Sequence, residues 1–141
     1  MFGDAMMLGN YERNVDGKGR IFLPSCCHTE LGDELIFYLQ DDYIEVWNQK
    51  DFMEFMEELS DNHYMYQDEV TAFVSEVISV SEVKGTFRIN LGISLISDYQ
   101  LQDGVIIEGK GKCIRIWNKD KFQQYKNELK PVNLLTLKRK K

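Results

Sequence analysis

The chain has 141 residues, 43% of them hydrophobic, and carries a formal net charge of −6 with a pI near 4.9. That acidity excludes indiscriminate nucleic-acid binding while leaving room for a local basic site, and the hydrophobic share supports one cored domain or two small units sharing a core. No apolar run approaches the roughly 20 residues needed to span a bilayer, so a soluble, unexported protein is expected.

The first patterned stretch is VDGKGRIFLP, Val15–Pro24. Two glycines around one lysine, between Asn14-Val15 and the apolar Ile21-Phe22-Leu23, predict a sharp charged turn leading into a strand. Arg13, Lys18 and Arg20 face only Glu12 and Asp16 locally, whereas acids crowd into DDYIE, DFMEFMEELSDN and QDEVTAFVSE. Charge is thus segregated along the chain. Cys26 and Cys27 follow directly; with Cys113 the cysteines are odd in number and lack a Cys-x-x-Cys pair, so neither a disulfide framework nor a zinc site is expected, and a reducing cytoplasm fits.

After a short irregular segment, ELIFYL and YIEVW predict two strands, and Asn48 is placed to cap a helix in which Phe52, Phe55, Met56 and Leu59 recur at helical spacing. That stripe reads as packing surface. Further on, Val70, Phe73, Val74 and Val77 predict a connecting helix.

The pattern then repeats. Leu31 and Leu101, Asp33 and Asp103, Trp47 and Trp117, Asn48 and Asn118, Phe52 and Phe122, and Leu59 and Leu129 are each 70 positions apart. Upstream, DGKGRIFLP from Asp16 aligns with EVKGTFRIN from Glu82 at an offset of 66, four residues entering the second copy within LGISLISDYQ. The second unit accordingly has a glycine turn, a strand, the pair GVIIEG and CIRIW, and a helix opened by Asn118. The organisation expected is a first unit over 7–59, a connecting helix over 60–79, a second unit over 80–129 and a basic tail over 130–141 that reads as a solvated end.

MLGNYERNVDGKGRIFLP with its Asp-x-Lys-Gly-Arg turn, the Trp-Asn that opens a helix, and a weaker second copy together resemble the MraZ family of bacterial transcription regulators, of the SpoVT/AbrB-like class. The similarity runs from about Met7 to Leu129 and is sharpest over Gly9–Pro24; MFGDA, ahead of Met6 and Met7, reads as an upstream extension or an alternative start. The resemblance implies an α+β, mainly β fold of two tandem AbrB-like units of swapped-hairpin, double-psi type, related by a pseudo-two-fold within one chain and capped by helices. It also implies a cytoplasmic, nucleoid-associated, ring-shaped homo-oligomer that binds repeated elements in double-stranded DNA upstream of a cell-division and cell-wall operon, usually to repress it. No cofactor, membrane or small-molecule substrate is implied.

Asp16, Lys18, Gly19 and Arg20 match the family's turn, and Pro24 the proline closing its strand. In the second copy Glu82 replaces the acid, Thr86 the arginine and Asn90 the proline, and His28 stands where such proteins commonly carry arginine. The DNA-binding candidates are therefore Arg13, Lys18, Arg20, Lys84 and Arg88, with Arg88 two residues past Thr86 and hence on the same strand face. Asp16, Gly17, Gly19 and Gly85 are the turn-forming positions. Arg20 suits bidentate pairing with guanine, Lys18 suits phosphate, Asp16 suits stabilising the turn or orienting Arg20, and the glycine backbones suit close approach to a groove. No catalytic residue is singled out, because His28 and His63 belong to no nucleophile elbow, paired-carboxylate pattern or phosphate loop. The competing expectation is an oligomeric interaction or scaffold protein with weakened DNA binding, to which Thr86, Asn90, His28 and the acidic pI lend weight.

Overall fold

The computed structural model describes residues 7–61, 74–76, 80–83 and 86–129. His63, Lys84, Gly85, the tail and most of the expected connecting helix lie outside them. In chain order the elements are β1 (Asn10–Arg13), β2 (Arg20–Leu23), α1 (Ser25–Leu31), β3 (Leu35–Leu39), β4 (Tyr43–Asn48), α2 (Gln49–Asp61), β5 (Val74–Glu76), β6 (Val80–Val83), β7 (Thr86–Asn90), α3 (Gly92–Asp98), β8 (Val105–Gly109), β9 (Cys113–Asn118) and α4 (Lys119–Glu128).

These make an α+β protein with two antiparallel sheets, ordered β1-β8-β9-β4-β3-β5 and β2-β7-β6. The repeated hairpins β3–β4 and β8–β9 sit side by side through β4 and β9, and each outer edge is closed by a strand from the other half: β1 pairs with β8, and β5 with β3. The inner order β8-β9-β4-β3 therefore reads the same from either end once the repeat-related hairpins are equated, and the edge strands β1 and β5 pair with repeat-related partners. The centre of the large sheet falls at Glu45↔Arg115, and the centre of the β2–β7 pairing at Phe22↔Arg88. Those partners are separated by 70 and 66 positions, the offsets of the sequence repeat, so an approximate two-fold passes through both.

Strand alternation explains the layers. Ile21, Leu23, Phe87 and Ile89 turn inward from the small sheet and meet Phe37, Ile44, Val46, Ile107, Ile114 and Ile116 from the large one. Trp47 and Trp117 occupy the opposite face, where the helices cover them: Trp47 stacks on Phe55 at 5.0 Å and Trp117 on Tyr125 at 4.7 Å. Phe52 and Phe122 lie buried beneath. Asn48 and Asn118 start the helices as expected, each accepting two backbone N–H groups at 2.9–3.2 Å, while their side-chain amides donate to the carbonyls of Leu31 and Gln100.

Two expectations are corrected. The segments expected to be irregular after β2 and β7 form α1 and α3, seven residues each; fewer than two full turns leave no periodicity to read. Where helical spacing predicts a connecting helix, Val74–Glu76 forms β5 instead, because the backbone ladder offered by the open edge of β3 outweighs local periodicity, and a β-branched Val suits it.

Candidate nucleic-acid interface

The Asp16–Arg20 turn is organised by one carboxylate. Asp16 Oδ1 accepts the backbone N–H groups of Lys18 and Arg20 at 2.9 Å, and Oδ2 accepts Arg20 Nε at 2.6 Å. The backbone closes around it through Gly19 N–H to Asp16 O and Asp16 N–H to Arg20 O, both 3.0 Å. An aspartate bonding backbone two residues on is a turn-former by mechanism, since it replaces a ladder bond the turn cannot make. The Arg20 backbone N–H foremost, then its side chain and the Lys18 N–H, hold the Asp16 carboxyl at about 2. Asp16 thus stays charged across the physiological range and fixes Arg20 by Nε alone. The two terminal amino groups of that guanidinium have no partner among the described residues.

The glycines do different work. Gly17 is exposed with nothing within 4 Å of an added Cβ, so its backbone is open to a ligand. Gly19 is buried with φ +82, and a Cβ there would lie 2.8 Å from the backbone carbon of Gly92; its carbonyl accepts Leu91 N–H at 2.9 Å. Of the two glycines expected to leave room for a groove, Gly17 has an open backbone and Gly19 is packed against the chain. Gly19 lets the turn dock on the start of α3.

Lys18 is exposed at the tip. Arg20 lies opposite Asn90, and Phe22 opposite Arg88, so these four share the outward face of the small sheet. The Arg88 guanidinium sits 5.5 Å from the Phe22 ring centroid, and its Nε is buried without a hydrogen-bond partner among the described residues. Arg13 belongs to the other sheet, donating to its neighbour's carbonyl at 2.9 Å and lying 5.6 Å from the Tyr11 ring centroid. His28 is stacked on Phe87 at 4.3 Å and bonded to Asp33 at 3.0 Å, so it is committed within the fold. Asn90, in the proline's place, accepts Gly92 N–H at 3.0 Å and supports the turn that begins α3. Phe22, 44% exposed, was not singled out from sequence, although strand alternation in Arg-Ile-Phe-Leu already sets it on the face of Arg20.

Burial pushes the Cys27 and Cys113 thiols up to about 12, which keeps them protonated and poorly nucleophilic. Among the described residues no three His, Cys, Asp or Glu side chains are grouped to hold a metal, and no helix is long and apolar enough to cross a membrane. A pocket of about 320 Å³ beside the turn is predominantly apolar, with Val15, Ile93 and Ile96 in its wall.

A family model described as "MraZ protein, putative antitoxin-like" matches residues 6–73 and 83–139. The chain is 28% identical to the transcriptional regulator MraZ of Mycoplasma capricolum over 91% of its own length and 99% of that protein. It is 30% identical to the transcriptional regulator MraZ of Finegoldia magna, covering 87% and 88% of the two chains, and 29% identical to that of Alkaliphilus metalliredigens, covering 87% and 88%.

Proposed function

The chain belongs to the MraZ family, and from that membership we propose that it is a DNA-binding transcription regulator whose sequence-reading element is the Asp16–Arg20 turn. The observation that carries this is the grip of Asp16 on Arg20 Nε, which presents the remaining guanidinium edge in one orientation. A guanidinium held in that way suits the O6 and N7 acceptors of guanine, a pairing worth roughly 1–3 kcal/mol of discrimination. Lys18 at the tip serves as a phosphate anchor, and the bare backbone of Gly17 permits close approach. Arg88 supports Arg20 from the same face, while Lys84 and Arg13 add phosphate contacts.

A net charge of −6 makes one chain a weak binder. Self-association into a ring that presents several turns to spaced elements raises the effective concentration of cations and selects repeated sites. In this reading the two halves are swapped-hairpin AbrB-like units, the strand exchange of β1 and β5 supports their tandem pairing, and the target is the promoter of the cell-division and cell-wall operon containing the protein's own gene, which it represses. The protein works in the cytoplasm at the nucleoid, without cofactor or catalysis.

Thr86 and Asn90 favour the second reading, an oligomeric scaffold with weakened DNA binding. Mobility shifts on the DNA upstream of its gene, run across a salt series, separate the two. A specific complex that weakens steeply with salt supports the regulator; no complex even at low salt leaves the scaffold.

A further inference from the structure

The approximate two-fold places two pairs of repeat-related residues against each other, and neither pair is alike. At the centre of the large sheet Glu45 faces Arg115, with Arg115 Nε donating to Glu45 Oε2 at 3.0 Å. Glu45 is the buried charged side chain of the described residues, 7% exposed, and both its oxygens are bonded, since Trp47 Nε1 donates to Oε1 at 3.0 Å. The Arg115 guanidinium lies 4.4 Å from the Tyr43 ring centroid. At the centre of the β2–β7 pairing Phe22 faces Arg88.

A residue on such an axis meets its own counterpart. Were two N-terminal units to pair in this register, Glu45 would face Glu45; two C-terminal units would set Arg115 against Arg115 and Arg88 against Arg88. Directly opposed side chains on neighbouring strands have Cβ atoms about 4.5–5.5 Å apart, where like charges repel, and burial sharpens the repulsion by removing the water that would screen it. A second feature points the same way. The Gly19 turn docks on Gly92, which has φ +82, whereas the residue 66 positions earlier is Cys26, whose Cβ disfavours that conformation.

We propose that the Glu45–Arg115 pair is a pairing-specificity element: it makes an N-terminal unit the partner of a C-terminal unit and rejects a second copy of itself. The rule holds within one chain and extends to exchange between copies, where an N-terminal unit released from its own chain accepts only the C-terminal unit of another. The Trp47 bond and the Tyr43 contact hold the two charges in register, so the pair selects partners by position as well as by sign.

The test uses the full chain in three forms, E45R, R115E and the exchanged E45R/R115E. Each single substitution puts like charges on the axis and is expected to lower the melting temperature by about 10 °C, whereas the exchange recovers at least half of that loss. The two single variants are then unfolded, mixed in equal amounts, refolded together and examined by native mass spectrometry, with labelled and unlabelled wild-type chains as the control. A chain with two cations on its axis and a chain with two carboxylates satisfy each other by exchanging units, so mixed species should exceed the control level. An exchanged variant no more stable than the weaker single one, or mixed species at the control level, overturns the proposal. Because both measurements report even if a single variant fails to fold alone, loss of folding does not shield it.

Discussion

The helix-bearing ends of the two units and their turn-bearing ends differ in how closely the repeat is kept. At the helix ends the same physics recurs with the same residue types: Asn48 and Asn118 cap, Trp47 and Trp117 cover Phe52 and Phe122, and Phe55 and Tyr125 stack on the indoles. Even so, Trp47 donates to Glu45 on its own strand and Trp117 to Glu108 on the next, because an arginine occupies position 115. At the turn ends Arg20 has become Thr86 and Pro24 has become Asn90, which has taken on the backbone N–H of Gly92. Packing demands the same solution twice; presentation of a cation does not. Internal divergence therefore separates the parts that hold the fold from the part free to specialise.

If the helix ends are equivalent, truncating Phe52 or Phe122 to Ala should cost about 3–5 kcal/mol in either unit. Chemical denaturation checks this, and a loss confined to one unit would break the equivalence. Within the first turn the two glycines should separate. Gly19→Ala places a Cβ 2.8 Å from backbone at φ +82 and should cost on the order of 1–3 kcal/mol, while Gly17→Ala, with open space around it, should stay within about 1 kcal/mol. Equal losses would show that the docking of the turn on Gly92 carries no stability.

The smallest effect concerns pH. The Asp16 carboxyl is depressed from its ordinary 3.8 to about 2, so its contribution is fully present above about pH 4 and fades as pH falls through about 2. An NMR titration of the Asp16 side chain should show this midpoint, with the Lys18 and Arg20 amide signals moving together. Arg20→Ala should let the midpoint rise towards 3.8, while leaving part of the depression because the backbone N–H bonds remain.

Much of this architecture was legible in the sequence because it rests on local rules. The Asn caps, the alternation in Tyr43–Asn48 and Cys113–Asn118, and the glycine turn each declare themselves within a few residues. The crossing of β1 to β8 and of β5 to β3 does not, since pairing over such separations leaves no periodic trace, and Val74–Glu76 takes its conformation from the edge it meets. At the candidate site turn chemistry and charge offered two roles for Asp16, stabilising the turn or orienting Arg20, and its carboxylate bonds both the turn backbone and the Arg20 side chain. The burial of Gly19 was not readable, because Gly92 lies far along the chain. Nor was the pairing of Phe22 with Arg88, which depends on β2–β7 register.

In the proposed function Arg20 reads base sequence while Arg88 only supports it. The most direct measurement is the ratio of specific to non-specific DNA affinity at fixed salt for the wild-type protein, Arg20→Ala and Arg88→Ala, each confirmed to keep the wild-type oligomeric state. On this reading Arg20→Ala lowers that ratio by roughly 5- to 150-fold, while Arg88→Ala weakens both affinities alike and leaves the ratio in place. An unchanged ratio in Arg20→Ala, or the larger fall in Arg88→Ala, would contradict it.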